Sequence, residues 1–340
     1  MKALLVRLSS IGDVVHTLPA LAALRRHGWE AGWVVEPPSQ PLLADNPELA
    51  QVVVAPPARG FLLREAWSGL RSLRVRGYDA ALDFQGLWKS VLWARLARAR
   101  RVVGFAREWR REPASAVLVS ERASLPAEAV HVIDKNLALL RPLGVEALGL
   151  RQFPLPASPE AVARVERGLG ELGVTDVAVL NPGGGWSSKL WPPERFGDLA
   201  RRLRGLGLRP LVSWGPGEDV LADRVVAASG GACVRSFPTG LLDLVELVRR
   251  ARIVIAADTG PLHMACAVRT PVVALFGPTD PTRNGPFDPA DEVVRRVPGC
   301  APCYRRGCLV HPGVMDAIEV GEVAEAVERR LARSRRARAV

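Results

Sequence analysis

Residues 254–268 read VIAADTGPLHMACAV. Four apolar or small residues lead into Asp258, and Thr259, Gly260 and Pro261 interrupt the run before a second apolar stretch begins. A short, wholly apolar run is the pattern of a strand buried on both faces, as in parallel sheets. Thr259 or Gly260 suits a helix N-cap and Pro261 the first helical position. The stretch is therefore a strand running into a helix, with a carboxylate at the join and His263 one turn later. Such a helix start presents unpaired N–H groups and a positive dipole end, which makes it an anion site. Asp258 would repel a phosphate at short range, so its expected work is to orient the loop, or to bind a hydroxyl or Lys189.

Similar junctions recur along the chain. Strand-like runs at 2–8, 31–36, 51–55 and 78–84 alternate with helical patterns at about 13–26, 61–76 and 86–99. The loose stretch GVEALGLRQFPLPASPE follows, and then a second set: strands at 176–181, 209–214, 252–257 and 271–276, helices at about 193–204, 217–229, 241–250 and 261–267. Alternation of this kind predicts α/β layers with parallel sheets. The boundary falls near residues 150–160, giving domains 1–155 and 156–340. If two doubly wound domains face each other, the carboxyl ends of both sheets border one cleft, where ligands of open α/β sheets bind.

The 340-residue length fits two domains, and 48% hydrophobic with 24% charged residues is globular composition. Asp258 and His263 break the best apolar window, which excludes a spanning segment there. The opening MKALLVRLSSIGDVVHTLPALAAL imitates a signal peptide, but Arg7 and Asp13 interrupt it. A cytoplasmic protein is the expectation. Net charge is +11, with arginines clustered at 95–111 and in the tail ERRLARSRRARAV. These clusters are either a solvated basic face and a frayed helix end, or an attraction to a polyanion such as nucleic acid or an anionic membrane surface. Only Lys2, Lys89, Lys135 and Lys189 are lysines. Arginine is this chain's default cation, so an interior lysine carries information.

The loops after strands hold the candidate chemistry. LSSIGDVVHTLPAL follows the first strand and places Ser9, Ser10 and Gly12 where a phosphate loop would lie, yet neither G-x-G-x-x-G nor the P-loop pattern is present. Asp13 either complements a helix start or acts as a general base at a strand's carboxyl end. His16, one turn on, either supports it or packs. After the fourth strand, Asp83, Gln85 and Lys89 offer polar groups at a helix start, with Lys89 a candidate contact for an anionic acceptor. In LNPGGGWSSKLWPPERF (180–196), three glycines free backbone N–H groups to approach a ligand, and Lys189 is a point charge suited to a pyrophosphate. Pro192 and Pro193 suit the following helix start. Glu218, after the next strand, either binds ribose hydroxyls or simply begins a helix. Cys300, Cys303, Cys308 and His311 form C-x2-C-x4-C-x2-H, a set able to close a tetrahedral structural zinc site, the alternative being a tight turn of unliganded thiols. Cys233 and Cys266 read as core.

Taken together, SSIGDVVHTLPAL, DFQGLWKS, KLWPPERF and DTGPLHMACAVRTPVVALFGPTDP make the chain, over nearly its whole length, resemble glycosyltransferase family 9, the ADP-heptose:lipopolysaccharide heptosyltransferases. The resemblance implies a GT-B fold, two facing Rossmann-like domains with parallel sheets and an interdomain cleft, the first for acceptor and the second for donor. It allows a final helix that packs back on the first domain. It implies an inverting transfer that needs no catalytic metal or other cofactor. By motif, Asp13 corresponds to the base and Lys189 to the cation on the donor phosphate. Gly184, Gly185, Glu218, Asp258, Thr259, Gly260 and His263 correspond to the donor site, and Ser10, Gly12, Gln85 and Lys89 to the acceptor side. Implied partners are an ADP-sugar and an anionic glycolipid, with peripheral contact to an anionic membrane surface and no nucleic acid. Two departures stand out: glycines at 184 and 185 where members often carry Thr or Ser, and Val314 where many carry a fourth cysteine.

Two other classes are open. A nicotinamide oxidoreductase predicts G-x-G-x-x-G after the first strand, which this chain lacks. A nucleic-acid-binding protein predicts basic residues interleaved with exposed aromatics, whereas most tryptophans here fall in strands and helix starts.

Overall fold

The computed structural model describes residues 1–56, 63–303, 307 and 313–338. It divides into two compact units, Met1–Ala157 and Ser158–Val340. The first unit carries β1 (Lys2–Val6), β2 (Glu30–Val35), β3 (Leu49–Val54), β4 (Ala80–Asp83), β5 (Arg101–Phe105) and β6 (Glu121–Ala123). All pairings are parallel, in the order β3-β2-β1-β4-β5-β6. The second carries β7 (Val177–Asn181), β8 (Arg209–Val212), β9 (Val234–Arg235), β10 (Ile253–Ala257), β11 (Val272–Phe276) and β12 (Glu292–Arg295). Its parallel order is β12-β11-β10-β7-β8-β9.

Numbered within its own unit, the second sheet repeats the order of the first. In both, the chain winds outward from its first strand to one edge and returns to that strand's other side. Loops leave the two central neighbours in opposite directions at that reversal, which opens a crevice at their carboxyl ends. The reversals lie between β1 and β4 and between β7 and β10. In register, Val6 pairs with Asp83 and Ala256 with Asn181, so the residues that follow these pairs reach each crevice together.

Burial on both faces explains the uninterrupted apolar strands: every residue of β7, β10 and β11 is buried. Trp191 and Phe196 anchor the second core edge to face, with centroids 4.8 Å apart. One close approach depends on a missing side chain. A Cβ on Gly197, in helix Pro193–Gly205, would lie 2.6 Å from the carbonyl carbon of Ala228 at the end of helix Asp219–Ala228. Gly197→Ala should therefore lower stability by about 1–3 kcal/mol through forced separation of the two helices, despite alanine's better helix propensity. A denaturation midpoint at or above wild type would contradict that packing.

Several expectations need correction. The helix expected over 13–26 is two, Ile11–Val15 and Leu18–Arg26, and residues 61 and 62 of the next lie outside the described residues. The arginine cluster at 95–111 is no uniform basic face: it contains β5, Arg101 pairs with Glu121 at 2.6 Å, and Arg110 is wholly buried. The described part of the tail belongs to helix Val320–Arg338, whose Arg329 and Arg333 bind Glu292 and whose Arg330 binds Asp291. Within the second unit that helix packs on β11, β12 and helix Pro193–Gly205.

Candidate functional site

In the first unit the crevice between β1 and β4 is lined by the loops that follow them. Asp13 sits in the first turn of helix Ile11–Val15. Its Oδ1 lies 2.6 Å from an Arg7 guanidinium nitrogen, and its Oδ2 accepts from the Ser10 hydroxyl at 3.0 Å and the Ser10 N–H at 3.2 Å. Burial alone would raise the carboxyl's pKa, but the Arg7 charge and the Ser10 donors outweigh it and hold the group below the usual carboxylate range. The side chain keeps 33% exposure against 11% for Arg7. Asp13 receives the N-cap residue's N–H and keeps an ionised, partly exposed carboxylate, a geometry that fits either role read from the sequence.

Arg7 also donates to the Phe84 carbonyl at 2.5 Å, which ties the loop after β1 to the loop after β4. Gln85 adds a second tie, accepting the Leu8 N–H at 2.9 Å. Asp83 is not a surface contact. It is fully buried, its Oδ2 2.5 Å from Arg110, and its Oδ1 accepts the N–H groups of Gln85 and Gly86. Lys89 binds Glu36, the residue after β2, at 2.7 Å, so its cation meets a carboxylate at this rim. His16 is buried and packs edge-on against His131, 5.7 Å between centroids. Of the acceptor-side residues, Ser10 is exposed, Gly12 is buried and Gln85 is half-buried.

In the second unit the crevice between β7 and β10 gathers the glycine loop and the Asp258 turn. Lys189 Nζ lies 2.6 Å from Asp258 Oδ2 and 3.1 Å from the Asp258 carbonyl, and 4.4 Å from the centroid of the Trp186 ring. Thr279 donates to the same Oδ2 at 2.8 Å, and His263 Nε2 lies 3.3 Å from Oδ1. Burial pushes the Asp258 carboxyl up, yet the His263 hydrogen bond and the Lys189 charge pull it far below the usual range. Asp258 thus serves as the hub that fixes Lys189 and His263, as its short-range repulsion of anions suggested. Thr259 is the N-cap of helix Gly260–Ala267, with Pro261 in the first turn.

Gly184 lies against Thr259, where a Cβ would come within 2.7 Å of the threonine methyl, while Gly185 faces open space. Glu218 lies beside Gly183 and accepts the Gly215 N–H at 2.9 Å while starting helix Asp219–Ala228. This crevice joins a lysine, the mouth of an eight-residue helix and a glycine-rich loop, a combination suited to an anion such as a diphosphate. Cys300 is exposed and Cys303 half-buried, and the Cys303 N–H donates to the Pro278 carbonyl at 2.7 Å. Cys308 and His311 lie outside the described residues.

Sequence reasoning missed Arg7, Thr279 and Glu36 as parts of these sites. Arg7 had a signal, a charge set in an otherwise apolar strand end. Thr279 and Glu36 had only their places at the carboxyl ends of strand runs as a signal; their partners, Asp258 and Lys89, are set by the folded sheet.

A model of glycosyltransferase family 9 (heptosyltransferase) matches residues 66–313. Lipopolysaccharide heptosyltransferase 1 of Pseudomonas aeruginosa is 32% identical, over 92% of this chain and 88% of its own. Among solved structures, a family 9 glycosyltransferase from Veillonella parvula superposes with a TM-score of 0.85 at 20% identity, covering 98% of this chain and 97% of that one. An E. coli heptosyltransferase with ADP superposes with a TM-score of 0.76 at 24% identity, covering 97% and 100%.

Proposed function

Because the chain belongs to glycosyltransferase family 9, we propose that its two crevices divide one reaction, the acceptor at β1/β4 and the nucleotide sugar at β7/β10. The enzyme is a heptosyltransferase that moves heptose from ADP-heptose to a lipopolysaccharide-core acceptor. The rival oxidoreductase and nucleic-acid-binding readings gain no support from these comparisons. The observation that carries the division is chemical: the first crevice holds an ionised carboxylate, the second a lysine at a helix mouth.

Asp13 takes the proton of the acceptor hydroxyl as that oxygen attacks the anomeric carbon. The bond from that carbon to the diphosphate oxygen breaks, and ADP leaves with the electron pair. A single displacement inverts the anomeric centre. Lys189 has two of its three donors on Asp258, and its third donor, with the amides that start helix Gly260–Ala267, meets the charge growing on the leaving diphosphate. Glu218 is set for the ribose hydroxyls. Ser10, Gly12, Gln85 and Lys89 border the acceptor, whose lipid anchor brings the enzyme to the inner face of the cytoplasmic membrane. The reaction as proposed takes no cofactor. Zinc on Cys300, Cys303, Cys308 and His311 would be structural, since four protein ligands leave no position open to water or substrate.

The direct test is to incubate the protein with ADP-heptose and heptose-free core acceptor, weigh the product by mass spectrometry and read its anomeric configuration by NMR. Gain of one heptose with inverted anomeric configuration is the expected result; no gain in mass, or retained configuration, would sink the mechanism. Lys189→Ala should weaken ADP binding by about tenfold to a hundredfold, the loss of one charge-assisted hydrogen bond. Lys189→Arg should not restore it, because a planar guanidinium cannot replace a compact ammonium against Asp258. Calorimetry giving wild-type affinity for both variants would remove Lys189 from the donor site.

A further inference from the structure

Helix Trp88–Leu96 starts beside the Gln85–Gly86 turn and leaves the acceptor crevice with an unusual outer face. Trp88, Leu92 and Leu96 are 41%, 43% and 42% exposed. Their spacing puts them on one stripe of the helix. Helix Leu63–Arg76 lies alongside: a Cβ on its Gly69 would sit 3.6 Å from the Trp93 ring. Arg74 joins the two surfaces, donating to the Leu96 carbonyl at 2.8 Å while its guanidinium lies 5.3 Å from the Trp67 ring centroid. Trp67 is itself 62% exposed. The exposed stripe of Trp88, Leu92 and Leu96 and the exposed Trp67 ring are thus linked through Arg74.

Charge decides what fits this face. Residues 63–100 carry eight basic side chains against three acidic ones; setting aside Lys89, Arg76 and Arg100, paired with Glu36, Glu30 and Asp79, and Asp83, paired with Arg110, leaves five basic against Glu65. Amphipathic indole rings and leucine at solvent, among cations of one sign, match the boundary between headgroups and acyl chains of an anionic bilayer.

We infer that the face formed by Trp67, Trp88, Leu92 and Leu96, rimmed by Arg74 and Arg95, docks on an anionic lipid surface. The choice of lipid over protein rests on the glycolipid acceptor proposed above, whose anchor must lie in a membrane while its sugar occupies the crevice at Gln85. The stripe begins at that crevice and runs away from it. Docking there would hold the β1/β4 loops against the layer that presents the acceptor.

The test is co-sedimentation of the full chain with vesicles of phosphatidylethanolamine, with and without phosphatidylglycerol. Wild type should bind the mixed vesicles and lose most binding as salt rises. Leu92→Glu/Leu96→Glu should weaken binding about tenfold or more by removing apolar insertion, and Arg95→Glu about tenfold by reversing charge at the rim. Both variants alter exposed positions, so melting temperature and transfer to a delipidated acceptor should stay at wild-type values, while KM rises for acceptor embedded in vesicles. Failure of wild type to sediment, or wild-type binding by both variants, overturns the inference. So does a concentration-dependent dimer in velocity sedimentation that the double leucine variant abolishes, which would assign the face to a second copy. A protein that binds the mixed vesicles through these residues but transfers no heptose would leave the surface standing and defeat the reaction instead.

Discussion

Asp13→Asn is expected to lower turnover by about 10²–10⁴-fold, the usual size of a lost general base, with ADP affinity unchanged and little loss of stability. Asparagine keeps an oxygen for the Ser10 N–H, so the helix start survives; what disappears is the proton acceptor and the charge opposite Arg7. The pH dependence has a definite sign. Arg7 and Ser10 hold the carboxyl below its ordinary value, so the base is ionised throughout the neutral range, and activity should fall on the acid side only below about pH 4. The same depression means that the Asp13–Arg7 pair contributes stability above the unfolded carboxyl's pKa and loses it as pH falls through the lower folded value. Kinetics of the variant at neutral pH, with a melting curve, separate the two functions of the residue. A stability loss that accounts for the whole activity loss would leave Asp13 as a helix cap alone.

Arg110→Ala should cost about 3–5 kcal/mol, the penalty for stripping a buried carboxylate of its cation. Asp83 and Arg110 are both at 0% side-chain exposure, so no water can take over. The cavity adds to the loss. The double variant Arg110→Met/Asp83→Asn should recover most of it, because asparagine still receives the Gln85 and Gly86 N–H groups while no bare charge remains. Urea denaturation of wild type, Arg110→Ala and the double variant makes the comparison. Should Arg110→Ala unfold within about 0.5 kcal/mol of wild type, the site must relax enough to solvate Asp83.

How far the sequence could be read depends on where each signal lies. β1, β2, β7, β10 and β11 were legible because strands buried on both faces must be apolar throughout, which leaves an unmistakable run. β6, β9 and β12 are short outer strands, and charge or brevity at a sheet edge is how proteins discourage further pairing. It also hides them from a hydrophobicity reading. β5 was concealed for another reason: its RVVGF sits inside an arginine cluster whose members point to separate partners in the folded chain, Arg101 to Glu121 and Arg110 to Asp83. Asp13, Lys189 and Asp258 were found because their loops follow readable strands. That Asp258 holds Lys189 was one of three options in the sequence, and geometry chose it. That Arg7 fixes Asp13 follows from a fold in which the end of β1 lies beside the end of β4, and no local pattern encodes that adjacency.

The repeated strand order has a consequence for how the protein can change over time. Within each unit, the described loops that line the crevice follow strands of that unit's own sheet, and the pairing of those strands is fixed by buried backbone. On the division proposed above, residues after β1 and β4 can drift while those after β7 and β10 keep the pairings of their own sheet. A lineage under pressure to decorate a new acceptor can retool the first pair of loops and keep its nucleotide sugar. One under pressure to accept another sugar can do the reverse. On that division, each half is a socket that can evolve by itself, and hybrid chains that exchange whole units are expected to inherit donor preference from one parent and acceptor preference from the other.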